Sequence, residues 1–208
     1  GSNWGNIFSW AMAKRKAARR PKPKKPVRVA EVQKPSAGEI AFPKKGNVML
    51  LLGEVYEDIR DALGEFISNA EDADATKIRI HLPGRGRLIL EDNGTGMSQD
   101  DLMRVPHHIG DSLRALQQGK IGEKGIGLLG FQAFAEKCTI ISRTRGQRDT
   151  WRLALVAGIP RFRIAPAKDG LPHSGTEVVI SGIKGQKSRV FSKKPLISWL
   201  QSKYRQAL

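Results

Sequence analysis

Residues Lys77 to Asp92, KIRIHLPGRGRLILED, constrain the fold more than any other stretch of the chain. Ile78, Ile80 and Leu82 alternate with Lys77, Arg79 and His81, and a second apolar run, Leu88-Ile89-Leu90, follows Pro83-Gly84-Arg85-Gly86. A period of two is that of a half-buried strand, and a proline-glycine run between two such strands is a turn, so the stretch predicts an antiparallel hairpin. The returning strand stops abruptly at Asp92-Asn93-Gly94-Thr95-Gly96.

Upstream the period changes to that of a helix, from Gly46 to about Asp74, with Gly53 as a point where it can break. Ile59, Leu63, Phe66, Ile67 and Ala70 gather on one side, and Glu65, Asn69 and Asp72, spaced by four and three, fall in one narrow sector opposite. Glu54, Asp58 and Asp61 extend that polar stripe, which by itself favours a solvated acidic face over a ligand-facing one, though spacing alone does not decide.

Beyond the hairpin, Ser98 followed by Asp100 and Asp101 reads as a helix start, running through Leu102 and Val105 into a glycine-containing stretch with the character of a lid. His107-His108 lies in it and reads as solvated or lid-packing. A second glycine cluster, Gly122-Glu123-Lys124-Gly125-Ile126-Gly127, opens an apolar helix through Leu128, Leu129, Phe131 and Phe134. Strands are expected around 138–144, 150–156 and 176–181, and an amphipathic helix from Ser192 to Gln206 carries Leu196, Trp199, Leu200 and Tyr204.

With 208 residues and 39% hydrophobic content the chain has enough material for one substantial core. No apolar run approaches the roughly 18 residues a membrane span needs, and GSNWGNIFSW lacks the basic-then-apolar order of a secretory signal, its leading Gly-Ser reading as a cloning remnant. The single Cys138 reads as a small core residue, and the expected setting is intracellular, cytoplasmic or nuclear.

The net charge of +16 is concentrated at the N-terminus. Lys14 to Arg28 holds nine Lys or Arg and no acid, interleaved with Pro21, Pro23 and Pro26, which favour an extended arm over a helix. Such an arm suits nucleic acid, acidic lipid or acidic protein, or serves as a solubilising linker. Trp4, Ile7, Phe8 and Trp10 before it form an aromatic-rich segment able to dock on the body, a partner or a membrane surface.

Three polar elements carry the chemistry. A carboxylate at Asp92, flanked by Gly94 and Gly96, is placed to accept a hydrogen bond from the exocyclic amine of adenine, with Met97 as apolar cover; the alternative is a tight turn in which Asp92 caps its own backbone. Gly122, Gly125 and Gly127 offer amides at a helix start, with Lys120 and Lys124 beside them, a favourable place for phosphates. If both bind one nucleotide, Asn69 offers a hard oxygen to Mg²⁺, Glu65 one turn earlier takes a proton from attacking water, and Asp72 orders waters around them.

The ordered set Glu65-x-x-x-Asn69-x-x-Asp72-Ala73, Asp92-x-Gly94-x-Gly96-Met97, Gly122-x-x-Gly125-x-Gly127 and Gly175-Thr176 resembles the Bergerat-fold (GHKL) ATPases, the superfamily of gyrase, the ninety-kilodalton heat-shock chaperone, histidine kinases and MutL. The resemblance covers residues 46 to 182, and around Ile121 to Gly127 it is nearest to microrchidia-like and chaperone-like members. It implies an α+β, two-layer sandwich with helices on one face of a mixed, mainly antiparallel sheet, ATP and Mg²⁺ in the cleft, and a lid over the phosphates. By this similarity Glu65 is the general base, Asn69 the metal ligand, Asp92 the adenine reader and Thr176 a support near the purine. Histidine kinases usually lack an acid at the position of Glu65, so that residue favours hydrolysis over phosphotransfer, the other reading being a nucleotide-gated binding module without turnover. The implied organisation is an arm over 1–45, the ATP-binding domain over 46–185 and a C-terminal helix over 186–208 leading toward a transducer domain. Such modules drive clamp or remodelling proteins, dimerise with ATP and in some cases act on DNA.

Overall fold

The computed structural model describes residues 8–11, 35–40, 60–107, 127–183, 185 and 187–204. Eight strands form one sheet: β1 (Phe8–Ala11), β2 (Ser36–Glu39), β3 (Lys77–Gly84), β4 (Arg87–Asp92), β5 (Lys137–Arg143), β6 (Thr150–Val156), β7 (Ile159–Pro166) and β8 (Gly175–Ser181), in the order β1-β3-β4-β8-β5-β6-β7-β2. Every neighbouring pair is antiparallel. The helical segments are α1 (Asp61–Asp72), α2 over residues 99–107, α3 (Gly127–Gly130) with a 3₁₀ turn at Phe131–Ala133, α4 (Lys187–Val190) and α5 (Lys193–Lys203).

Alternation decides which face of the sheet is covered. Ile78 and Ile80, Leu88 and Leu90, Val178 and Ile180, Cys138 and Ile140, Leu153 and Leu155, and Phe162 and Ile164 are buried in one core with Leu63, Phe66, Ile67 and Ala70 of α1. Leu196 and Leu200 of α5 join that core, and Phe191 meets Phe134 at 4.7 Å between ring centres. The result is the two-layer α+β sandwich expected from the family resemblance, with the helical layer packed on the inward face. Cys138 is wholly buried, and burial pushes its thiol up to about 12, so it packs as an apolar side chain and is no nucleophile.

The hairpin is tighter than Pro83-Gly84-Arg85-Gly86 suggested. Strand β3 runs through Gly84, Gly84 pairs with Arg87, and the two turn residues Arg85 and Gly86 have φ of 52° and 65°, the left-handed pair of a type I′ turn. The helix proposed through Phe134 is also shorter, since α3 ends at Gly130 and the chain tightens into the 3₁₀ turn. Strand β7 is absent from the sequence reading because its outward residues, Arg161 and Arg163, and its flanking Pro160 and Pro166 disguise the inward Phe162 and Ile164. Both N-terminal strands lie at sheet edges, β1 on β3 and β2 on β7. The basic run Lys14 to Arg28 and the helical pattern over 46–59 lie outside the described residues.

Candidate nucleotide-binding cavity

Between α1 and the sheet lies a cavity of about 390 Å³, within the range of small-ligand sites. Its floor is a row of three apolar residues on adjacent strands, Leu90, Val178 and Ile140, in direct register. The next row brings Asp92, Thr176 and Ser142 abreast at the strand ends. An apolar bed with a polar margin is the arrangement a flat heterocycle needs, ring stacked on aliphatic side chains and edge groups hydrogen-bonded.

The Asp92-Asn93-Gly94-Thr95-Gly96 loop is fixed to three elements at once. Asn93 accepts from the Thr76 and Lys77 backbone N–H groups at 2.9 and 2.8 Å, Thr95 N–H donates to Ala73 at 2.8 Å, and Arg145 N–H donates to Thr95 at 2.8 Å. Asp92 Oδ1 accepts from Gly94 N–H at 2.7 Å, so the turn-capping role weighed from sequence is present on one carboxylate oxygen, while Asp92 also lines the cavity. Burial pushes the Asp92 carboxyl up, opposed by the Gly94 and Thr176 N–H groups and by nearby His173.

The glycines are required by the protein's own backbone. Gly96 has φ of 67°, and a Cβ there would lie 1.9 Å from the Arg143 carbonyl oxygen; at Gly94 it would lie 2.6 Å from the Ala73 carbonyl oxygen. Replacing Gly96 with alanine is therefore expected to cost about 2–5 kcal/mol from left-handed strain plus overpacking, read as a fall in the denaturation midpoint.

Ser142, which the sequence reading passed over, organises this end of the site. Fully buried, its hydroxyl donates to the Gly175 carbonyl at 3.0 Å, accepts from Met97 N–H at 2.8 Å and lies 2.9 Å from Thr176 Oγ1. One hydroxyl carries one proton, so satisfying all three contacts makes Thr176 the donor toward Ser142 and leaves the Thr176 oxygen lone pairs as acceptors beside the cavity. The only trace of this in the sequence is a hydroxyl continuing the inward parity of Cys138 and Ile140 on β5.

The polar stripe of α1 stands at the cavity's margin, with Asn69 and Asp72 exposed to solvent and Glu65 partly covered. Glu65, Asn69 and Asp72 all line the cavity, alternating with Phe66, Ala70 and Ala73, while Val105 of α2 and Leu128 of α3 close it. Glu65 is half-buried, and desolvation raises its carboxyl above the ordinary range, with Lys203 opposing and Asp61 adding to the rise. Helix α1 ends where the loop begins: Asp74, at φ 57°, carries the left-handed cap, and the Asp74 and Ala75 N–H groups return to Glu71 and Ala70.

Of the residues singled out from sequence, Glu65, Asn69, Asp72, Asp92, Gly96, Met97 and Thr176 line one cavity, Gly94 holds Asp92 from behind, and Gly127 begins α3. Lys120, Gly122, Lys124, Gly125 and His108 lie outside the described residues, and His107 is exposed at the end of α2. No group of three or more His, Cys, Asp or Glu among the described residues is arranged to hold a metal. One amide oxygen with water-ordering carboxylates nearby suits Mg²⁺ that arrives on phosphates and keeps its waters, and does not suit a resident metal. Among the described residues no helix is long and apolar enough to cross a membrane.

Comparison with known proteins finds relatives among ATPases. A family model described as "Histidine kinase-, DNA gyrase B-, and HSP90-like ATPase" matches residues 56–158. The chain is 30% identical over 161 residues to the chaperone protein HtpG of Mesorhizobium japonicum, covering 63% of this chain and 26% of the relative. It is 32% identical over 152 residues to the DNA mismatch repair protein MutL of Thermus thermophilus, covering 68% and 26%, and 35% identical over 121 residues to MutL of Rhodopseudomonas palustris, covering 55% and 20%. The chain thus spans about a quarter or less of the length of these relatives.

Proposed function

This chain belongs to the Bergerat-fold ATPase superfamily, and from that membership we propose that its ATP-binding module hydrolyses ATP with Mg²⁺ and couples turnover to lid closure and dimerisation of a larger clamp or remodelling protein. The observation that carries the reading is the convergence of Glu65, Asn69, Asp72, Asp92 and Thr176 on one cavity with an apolar floor.

In this reading the purine lies on Leu90, Val178 and Ile140, its amine donates to Asp92, and Met97 covers it. The phosphates run along the polar stripe of α1, and Lys120, Lys124 and the glycines Gly122, Gly125 and Gly127 are assigned to them from the family pattern alone. Asn69 holds Mg²⁺, which when bound neutralises charge on the phosphate oxygens. Glu65 accepts a proton from water as its oxygen bonds to the γ-phosphorus, and the bond from that phosphorus to the bridging oxygen breaks, leaving ADP and phosphate. As the base must be ionised and its carboxyl is raised, turnover falls as pH drops through a value above the ordinary glutamate range. In this family-based reading a lid closes on the phosphates and completes a self-association surface. Compared with histidine-kinase phosphotransfer, an acid at position 65 favours water as acceptor, and the nucleotide-gated module without turnover remains the reading to which absent phosphate release would lead.

Nucleic acid is the proposed partner of the arm Lys14 to Arg28. The outward face of the neighbouring strands supports a polyanion as partner: Lys137, Arg152 and Arg163 are exposed there with no ion pair among the described residues, and Arg161 pairs with Glu39 at 3.1 Å. Phosphate release measured with and without duplex DNA tests both parts. Deleting residues 14–28 is expected to weaken DNA binding by about tenfold or more and flatten its salt dependence. Unchanged, salt-insensitive affinity would remove the arm from the reading.

A further inference from the structure

The end of α5 is clasped to the first turn of α1, the helix that bears the cavity's polar residues. Lys203 Nζ donates to Asp61 Oδ1 at 2.5 Å, Arg60 lies over the Trp199 ring at 5.9 Å while donating to the Pro195 carbonyl at 3.2 Å, and Lys203 lies over the same ring at 5.1 Å. Tyr204 packs edge-on against Trp199, 6.2 Å between ring centres. Both ends of this clasp are tied down by cation and ring together, which holds Lys203 in one place where a solvated lysine would wander.

Gly64 explains why the fit is this close. A Cβ there would stand 3.2 Å from both Lys203 Nζ and Tyr204 Oη, nearer than either neighbour accommodates without moving. Gly64 lies in the first turn of α1, and its missing side chain leaves room for Lys203 and Tyr204. Asp61, which Lys203 grips, and Glu65 stand one turn apart on the same face of α1, so the seat of Lys203 adjoins Glu65.

We infer that Lys203 is a positioning residue for Glu65, so that α5, through its seat on Asp61 and Gly64, couples whatever follows it in the chain to the charge state of the base. The inference rests on the role of Glu65 proposed above. Among the described residues, the charged and titratable groups about Glu65 are Asp61 and Asp72 on its own helix, Lys203 and Tyr204 from α5, and Asp92 across the cavity, while α2 and α3 present apolar Val105 and Leu128. Lys203 is the one cation in that set; burial and the carboxylates of Glu71, Asp61 and Glu65 push the Tyr204 phenol up to about 12, so it stays neutral. Displacing α5 by a ligand, partner or following domain would withdraw the cation and leave Glu65 protonated at a higher pH.

The test is to titrate the Glu65 carboxyl by carbon NMR in the nucleotide-free chain, alongside the pH profile of ATP hydrolysis. Lys203→Met is expected to move both upward by about 0.5 pH unit or more, the effect of one unit charge a few ångströms away in water-like surroundings. Lys203→Arg restores the wild-type value. A Glu65 titration unmoved in folded Lys203→Met overturns the inference. If no variant or wild-type chain releases phosphate, the hydrolytic reading fails, and the carboxyl titration still decides whether Lys203 acts on Glu65.

Discussion

Glu65→Ala is expected to lower phosphate release by about 100-fold or more, the range of a positioned general base, while ATP binds within about twofold of the wild-type affinity. The split follows from where the side chain stands. Glu65 lines the cavity at the N-terminal end of the polar stripe, while the bed proposed for the purine is formed by the sheet and the loop after β4. Removing the carboxylate therefore takes away a proton acceptor without touching the surface that holds the base. Its raised carboxyl, desolvated by the cavity roof, also accounts for the predicted acid limb of turnover. Binding lost together with turnover would mean that Glu65 contacts the nucleotide itself.

Asp92→Asn is expected to do the reverse, weakening ATP binding by about tenfold to a hundredfold with the fold intact. Asparagine keeps one oxygen to accept from Gly94 N–H but replaces the other with an amide donor, which opposes the donor on adenine. Stability at neutral pH is expected to change little, because relief of the buried charge offsets what the amide gives up toward the Gly94 and Thr176 N–H groups. A carboxylate whose ionisation burial disfavours destabilises the fold above its own pKa, and the neutral amide removes that penalty. Calorimetry of ATP binding beside thermal unfolding separates the two effects; a variant that unfolds would make Asp92 a structural residue first.

That Glu65, Asn69, Asp72 and Asp92 would gather at one cavity was readable because it depends on spacing along single elements. Glu65, Asn69 and Asp72 share a sector of one helix by arithmetic alone, and Asp92 stands at a strand end because two glycines follow it. What could not be read is what depends on register between distant strands. Ser142 meets Thr176 and Met97 only because β5 and β8 pair in one alignment, and the apolar floor of Leu90, Val178 and Ile140 exists only in that same alignment. Strand β7 escaped for a local reason, arginines at outward positions that blunt the hydrophobic signal. The Gly64 seat for α5 joins residues 142 positions apart through Asp61 and Lys203, and only the tertiary fold brings them together. The alternative of a turn-capping Asp92 proved compatible with a cavity-lining one, because a carboxylate has two oxygens.

The most direct measurement compares ATP with inosine triphosphate, which keeps the ribose and phosphates and exchanges the exocyclic amine for a carbonyl. A carboxylate that reads the amine should favour ATP by about tenfold or more in Kd, a preference that shrinks in Asp92→Asn. Equal affinity of the wild-type chain for the two nucleotides, or no binding of either, would contradict a purine seated at Asp92.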